Sequence, residues 1–111
     1  MDEMTRQVIL ISRARTQLYN AALWWSEHRS TEQAVRWLEG FEAAIRRLAD
    51  DAERYPLIPE DLVLPRQFRQ LTYGLGRRMS HRAVFEIRND RVYVYAIRHL
   101  AQDALTDQDL T

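Results

Sequence analysis

The chain contains neither cysteine nor lysine among its 111 residues. The absence of cysteine excludes a disulfide framework and a thiolate metal site. The absence of lysine means that all 16 positively charged side chains are arginines. Each positive charge is therefore carried by a planar guanidinium group, which binds phosphate or carboxylate through paired hydrogen bonds. A lysine amine with a lowered pKa is excluded as a catalytic base. No apolar run approaches the roughly 20 residues that a membrane span needs.

The length and the N-terminus indicate a single cytoplasmic domain. A chain of 111 residues fits one domain over residues 1–111 and leaves little room for a second. The first residues, Met1-Asp2-Glu3-Met4, are acidic and lack the basic flank and apolar run of a secretory signal. We therefore expect a protein of the reducing cytoplasm, and we expect no metal and no cofactor.

The net charge of zero conceals three blocks of different sign. Residues 1–63 hold 8 Arg against 11 acids (−3), residues 64–98 hold 8 Arg against 2 acids (+6), and residues 99–111 hold no Arg and 3 Asp (−3). The basic block either faces an anion, which is nucleic acid or an acidic partner segment, or is a solvated strand edge that resists aggregation. The acidic tail from Asp103 to Thr111 could partly screen that block, and its Leu105 and Leu110 could dock a short final turn.

The apolar pattern of the first half predicts a strand and two helices. The β-branched run 8–11 predicts a buried strand, and residues 13–29 predict a helix with Ser12 as its N-cap. Ser30 with Gln33 is typical of a capping box. A second, long amphipathic helix follows, with one buried face made of Ala34, Trp37, Leu38, Phe41, Ala44, Ile45 and Leu48.

The second half predicts a crossover and three strands. Residues 55–65 contain every proline of the chain, Pro56, Pro59 and Pro65, and should form an ordered, irregular crossover. The strands are predicted over 67–73, 81–88 and 91–98. The order β-α-α-β-β-β predicts an α+β fold, with a helical hairpin packed on one face of a largely antiparallel four-stranded sheet.

A two-residue turn at Asn89-Asp90 fixes the register of the last two strands. Because side chains alternate between faces, one face is purely apolar and lies under the helices: Ala83, Phe85, Ile87, Val92, Val94 and Ala96. The other face is predicted to be open, and it carries Arg82, Val84, Glu86, Tyr93, Tyr95 and Ile97, with His99 added if the strand continues. The facing of Arg69 and Arg98 stays open, since a bulge or an edge would change it.

The predicted open face brings together Arg82, Tyr95 and His99. Tyrosine can stack a base, arginine can hold a phosphate and histidine can move a proton. RNA supplies its own 2′-OH nucleophile, so this set would suffice for a metal-independent endoribonuclease. Arginine and tyrosine are also common on exposed sheet faces that have only a structural role, so whether the protein is an enzyme stays open.

Three motifs in the second half, together with the helical hairpin and the proline crossover, follow the pattern of a known family. The motifs are Arg69-Gln70-Leu71-x-Tyr73-Gly74, His81-Arg82-Ala83-Val84-Phe85-Glu86-Ile87 and Val92-Tyr93-Val94-Tyr95-Ala96-Ile97-Arg98-His99. With these features the chain resembles the RelE/ParE toxin superfamily over nearly its whole length. The resemblance implies the growth-inhibiting toxin of a type II toxin–antitoxin system, of the plasmid-stabilising kind, neutralised by a cognate antitoxin in a hetero-oligomer.

The resemblance implies two alternative targets. RelE-like members cut mRNA on the ribosome; there Arg82 matches the phosphate-supporting position and His99, or Arg98, matches the C-terminal catalytic position, with Tyr95 available for proton transfer. ParE-like members poison DNA gyrase and are not nucleases. The lysines of RelE are absent here and no acid occurs from Leu62 to Phe85, which favours the ParE-like branch. There we expect target or antitoxin contacts from Arg69, Arg77, Arg78 and Arg98.

Overall fold

The computed structural model describes residues 5–62, 66–102 and 104–110. Pro65, Asp103, Thr111 and the acidic start at Met1-Asp2-Glu3-Met4, on which some predictions depend, lie outside those ranges. The elements are β1 (Gln7–Leu10), α1 (Ser12–His28), α2 (Thr31–Arg46), α3 (Leu48–Asp51), β2 (Arg69–Tyr73), β3 (His81–Arg88) and β4 (Arg91–His99), with 3-10 turns at Ala52–Arg54 and Asp107–Leu110.

The four strands form one sheet in the order β1-β4-β3-β2. Strand β1 runs parallel to β4, and the other two pairs are antiparallel. Helices α1 and α2 pack against each other, and α1 also packs along β4. The predicted α+β fold, a helical hairpin on one face of a largely antiparallel sheet, is thereby confirmed.

The helix ends show which local signals the chain uses. The hydroxyl of Ser30 accepts a hydrogen bond from the amide of Gln33 at 3.1 Å, which confirms the predicted cap of α2. Ser12 is not the N-cap of α1 as predicted; Ile11 holds that position, with no side-chain hydrogen bond to the helix. Strand β1 thus runs directly into α1, and burial rather than capping holds the start of the helix. No helix in the described part of the chain is long and apolar enough to cross a membrane.

The hairpin between β3 and β4 has the predicted two-residue turn. Asn89 takes a positive φ of 57°, a conformation that asparagine tolerates. Cross-strand pairing follows the prediction from Arg88 opposite Arg91 as far as Phe85 opposite Val94. The first half of the hairpin therefore places its side chains on the expected faces.

A β-bulge at Tyr95 overturns the register beyond that point. Phe85 pairs with Val94, but Val84 pairs with Ala96, so Tyr95 is an extra residue in β4. An extra residue reverses the faces of all side chains that follow it. Ala96, predicted to lie under the helices, packs on the opposite face with Val84.

The same bulge moves Ile97 to the helix side. Ile97 pairs with Ala83 and both belong to the core under the helices, whereas the prediction placed Ile97 on the open face. Strand β1 ends at Leu10, opposite Val94, so it cannot accept hydrogen bonds from the last part of β4. The amide of Ile97 instead donates to Oε1 of Gln17 in α1 at 2.9 Å. A helix side chain thus replaces the neighbouring strand.

The sheet face predicted to be open is covered by the end of the chain. Residues 104–110 return across it, with Leu105 2% and Leu110 0% exposed. They pack in a second apolar cluster with Phe68, Val84, Tyr95 and Ala96. The prediction of an open face is wrong, because the two leucines of the tail bury that surface.

Candidate functional site

The structure separates the residues that the sequence placed together. Arg82 lies opposite Arg98, and His81 lies opposite His99, across the β3–β4 ladder. The His81 ring packs 4.8 Å from Trp37 of α2, which places both histidines on the helix side. His99 is therefore on the other face from Arg82, and the predicted Arg82–Tyr95–His99 set is not formed. The bulge at Tyr95 is the cause.

Two surfaces emerge in its place. We call the first the tail-covered face; it comprises Glu60, Arg66, Arg82, Glu86, Tyr95, Arg98 and residues 104–110. We call the second the loop end; it comprises residues 74–80, which connect β2 to β3, with Trp25, His81 and His99. Both draw their positive charge from the basic block of residues 64–98.

Arg82 is the buried centre of the tail-covered face. Its Nη1 donates to Oε1 of Glu60 at 2.9 Å and to Oε1 of Gln70 at 2.8 Å, and its Nη2 pairs with the other carboxylate oxygen of Glu60. Glu60 also accepts from the amide of Leu105 at 2.9 Å. The side chains of Arg82 and Glu60 are each 9% exposed. The guanidinium is thus already occupied by a carboxylate and is not available to a phosphate.

The hydrogen bonds from Arg82 hold the pKa of Glu60 at about 2, below its ordinary value of 4.5. Burial acts in the opposite direction, because it penalises the charged carboxylate. The ion pair outweighs burial. Glu60 therefore stays ionised throughout the neutral range and fixes the proline crossover to β3.

A second network joins Arg66 to the end of the chain. Arg66 donates to Oη of Tyr95 at 3.2 Å and to the carbonyl of Leu110 at 2.9 Å, and pairs with Glu86 at 3.4 Å. The hydroxyl of Tyr95 donates to Glu86 at 3.0 Å. The Arg66 guanidinium also lies over the rings of Phe68 and Tyr95. Tyr95 is therefore committed to a structural network and is 7% exposed.

The acidic tail is held by arginines and by its own turn. Asp109 pairs with Arg98 at 3.7 Å, and Arg13 of α1 donates to the carbonyl of Asp109 at 3.0 Å. The carboxylate of Asp109 accepts from the amide of Thr106 at 2.8 Å, which closes the final turn. The facing of Arg98, left open by the sequence, is thereby settled toward the tail. Arg69 is likewise occupied, since it donates to the carbonyl of Tyr55 at 2.6 Å.

Two glycines shape the loop end. The amide of Ser80 donates to the carbonyl of Tyr73 at 2.9 Å, so residues 74–79 form a closed loop. A Cβ on Gly74 would lie 1.9 Å from the carbonyl oxygen of Arg78, so only glycine fits there. Gly76 has a φ of +69°. The loop is thus a defined conformation that presents Arg77 and Arg78.

Arg77 and Arg78 differ from the other arginines of the basic block. Both are exposed, and neither makes a hydrogen bond or an ion pair with any described residue. The other six contact protein groups of the chain itself: Arg66, Arg69, Arg82, Arg88, Arg91 and Arg98. The free positive charge of the block is therefore concentrated at the loop end.

The two histidines at the loop end are in ring contact, and His81 is a neutral imidazole. Their ring centroids are 4.9 Å apart. Burial, with a smaller effect from the neighbouring His99, lowers the pKa of His81 to about 4 from 6.5. Nδ1 of His81 lies 2.8 Å from Oγ of Ser80, and that hydroxyl donates to the carbonyl of Tyr73. The hydroxyl therefore accepts from Nδ1–H of His81.

His99 is exposed, and its Nδ1 accepts from the amide of Ala101 at 2.9 Å. In the neutral ring the proton is then on Nε2, which makes that atom a donor. No group of three or more His, Asp or Glu side chains able to hold a metal occurs within residues 5–62, 66–102 and 104–110.

Sequence reasoning anticipated the acidic tail but missed the other partners of the basic block. Glu60 lies in the proline crossover and Arg66 just after it, outside any periodic element, so no pattern linked them to Arg82 or to the tail. The acids of the tail, interleaved with Leu105 and Leu110, were the one available sign that the basic face is covered.

Comparison with known proteins adds a family match. The sequence-family model that describes the ParE toxin of the type II toxin–antitoxin system, parDE, matches residues 8–104 of this chain. No curated protein sequence matches the chain. A solved structure described as the chromosomal ParDE TA system from P. aeruginosa is similar, with a TM-score of 0.70 and 15% identity over 87% of this chain and 98% of that chain. At that identity the similarity shows the fold alone.

Proposed function

We propose that this chain, which belongs to the ParE toxin family of type II toxin–antitoxin systems, arrests growth by poisoning DNA gyrase. The family membership makes it the toxin component and gives it a cognate antitoxin as partner. The RelE-like alternative, a ribosome-dependent mRNA interferase, is not favoured. The finer statement, that gyrase is the target, is the proposal.

The internal use of Arg82 supports a toxin that is not a nuclease. A ribonuclease on this sheet would need Arg82 free to hold a phosphate near a proton donor. Here Arg82 is paired with Glu60 and is 8% exposed, and His99 lies on the opposite face of the sheet. Phosphate binding would have to displace a short, buried ion pair, which is costly.

The unpaired arginines of the loop end support a binding function. We assign target contact to Arg77 and Arg78, the two exposed guanidinium groups of the basic block that have no partner in the described chain. Arginine is enriched where protein interfaces gain most of their affinity. Arg69 and Arg98 hold the fold together in the free chain.

A pair of parallel assays tests the proposed target. The purified chain is added to gyrase with supercoiled plasmid and ATP, and separately to a translating extract. We expect linear plasmid to accumulate after protein denaturation, while reporter mRNA in the extract stays intact. Codon-positioned cleavage of the mRNA, with the plasmid unaffected, would contradict the proposal and restore the RelE-like alternative.

A further inference from the structure

A depression of about 330 Å³ opens beside the unpaired arginines of the loop end. It is lined by Trp25, Leu75, Arg78, Met79, Ser80 and His99. Met79 is 48% exposed at its rim, although methionine is apolar and is usually buried. An apolar wall that solvent reaches, next to unpaired charge, is typical of an interaction site.

Two side chains around this depression offer hydrogen-bond donors. Arg78 contributes a guanidinium without a partner in the described chain. His99 contributes Nε2–H, because its Nδ1 already accepts from Ala101. Trp25 forms part of the wall, and its indole Nε1–H is buried in the protein. The hydroxyl of Ser80 is used by its neighbours His81 and Tyr73.

The side-chain donors of Arg78 and His99 select the chemistry of the ligand. A carboxylate matches this set best, since it accepts several hydrogen bonds and pairs with guanidinium in a planar, two-bond geometry. The apolar walls formed by Leu75 and Met79 require a bulky apolar group next to that carboxylate.

Charge and shape favour a protein segment over DNA. Duplex DNA is bound through several phosphate contacts, and each contributes modestly. Only Arg77 and Arg78 are unpaired in the basic block of the described chain, and Arg78 borders a concave apolar surface. Tryptophan, methionine and arginine around a concave site are enriched in protein–protein interfaces.

We infer that the depression at the loop end receives an acidic side chain flanked by a bulky apolar residue from a partner protein, with Arg78 contacting the carboxylate. This inference rests on the proposed function, because the partner would be the protein target of the toxin. Recognition then needs no movement of the tail, which lies on the other face of the sheet.

Indole NMR signals provide a direct test. The chain has three tryptophans, and the full-length ¹⁵N-labelled protein is titrated with the peptide acetyl-Leu-Asp-Leu-Phe-amide. We expect a saturable shift of the Trp25 Nε1–H signal and no shift for the fully buried Trp37. The matched peptide with Asn in place of Asp should bind about tenfold more weakly, as should the Arg78→Ser variant, because each loses a charged hydrogen bond.

The control variant is Arg88→Ser, which removes an exposed arginine of the same block from the opposite end of β3 and should bind the peptide unchanged. Equal shifts with the Asp and Asn peptides, no shift of the Trp25 signal, or tighter binding of a 12-base-pair DNA duplex would each overturn the inference. Gyrase poisoning that persists alongside any of these results would leave the proposed function standing. Peptide binding without poisoning would overturn the proposed target alone.

Discussion

The tail-covered face and the loop end use the same kind of residue for opposite purposes. On the tail-covered face, Arg66, Arg82 and Arg98 are paired with the carboxylates of Glu86, Glu60 and Asp109. At the loop end, Arg77 and Arg78 have no carboxylate partner among the described residues. A count of arginines in sequence therefore says little about an anion-binding surface until the partners of each are known.

The two surfaces differ because different segments of the chain close them. The tail-covered face is closed by distant segments, the proline crossover and residues 104–110, which bring acids to the sheet. The loop end is closed by Gly74 and Gly76, which allow a tight loop without any acid of its own. Stability is expected to depend on the first surface and target binding on the second, and the following changes test that division.

The largest expected effect on stability is from Arg82→Ala. It leaves Glu60 buried with an unpaired charge, and breaking a buried pair in this way costs about 3–5 kcal/mol of unfolding free energy. Urea denaturation followed by tryptophan fluorescence measures the loss. Arg88→Ala, whose side chain is 56% exposed, is the control and should cost well under about 1 kcal/mol. Equal stability of the two variants would mean that Arg82 is not structural.

A smaller loss is expected from Leu110→Ala. Leu110 is 0% exposed in the cluster beneath the tail. The cost should be about 2 kcal/mol, at the low end for a buried leucine, because a chain end can release locally instead of leaving a cavity. Leu100→Ala, at 44% exposure, is the matched control and should change the urea midpoint little. A midpoint for Leu110→Ala as high as that of the control would show that the tail does not cover the sheet in solution.

The smallest expected effect is on the pH dependence of the unfolding free energy, in which His81 of the loop end and Glu60 of the tail-covered face act over different pH ranges. The pKa of His81 is about 4 in the fold against 6.5 when unperturbed, so the unfolded chain binds more protons between these values. The contribution of His81 to the free energy of unfolding is complete above pH 6.5 and is lost as the pH falls toward 4. Glu60, with a pKa of about 2 against 4.5, loses its contribution only between pH 4.5 and 2.

Urea midpoints of wild type and His81→Gln, measured from pH 7 to pH 5, test this assignment. The slope of midpoint against pH should be shallower in the variant, whatever its absolute stability. The exposed substitution Leu100→Ala removes no ionisable group, so it is the control and should keep the wild-type slope. A wild-type slope in the His81→Gln variant would place the titrating group elsewhere.

The elements of this fold could be predicted from sequence because local patterns determine them. The amphipathic spacing and the cap at Ser30 located α2, although the predicted single helix ends at Arg46 and Leu48 begins α3. The Asn89-Asp90 turn set the hairpin register. The bulge at Tyr95 could not be predicted, since it depends on tertiary partners such as Gln17, which binds the freed amide of Ile97. One inserted residue was enough to move His99 away from Arg82.

The candidate site was harder to predict than the fold for a related reason. Charge segregation identified the basic block, and Arg77 and Arg78 were among the expected contact residues. Whether an arginine is free depends on acids that arrive from distant segments, here Glu60 and Asp109. Pairings over such sequence distances leave no periodic trace in the chain.

Growth arrest by the double variant Arg77→Ser/Arg78→Ser tests the central claim most directly. The double variant Arg88→Ser/Arg91→Ser removes the same charge from exposed positions at the other end of the β3–β4 hairpin and serves as the control. Each is expressed from an inducible promoter without antitoxin, and its melting temperature is measured. The account predicts that the Arg77/Arg78 variant keeps its melting temperature but no longer arrests growth, while the control remains toxic. An equally stable Arg77/Arg78 variant that arrests growth like the wild type would contradict it.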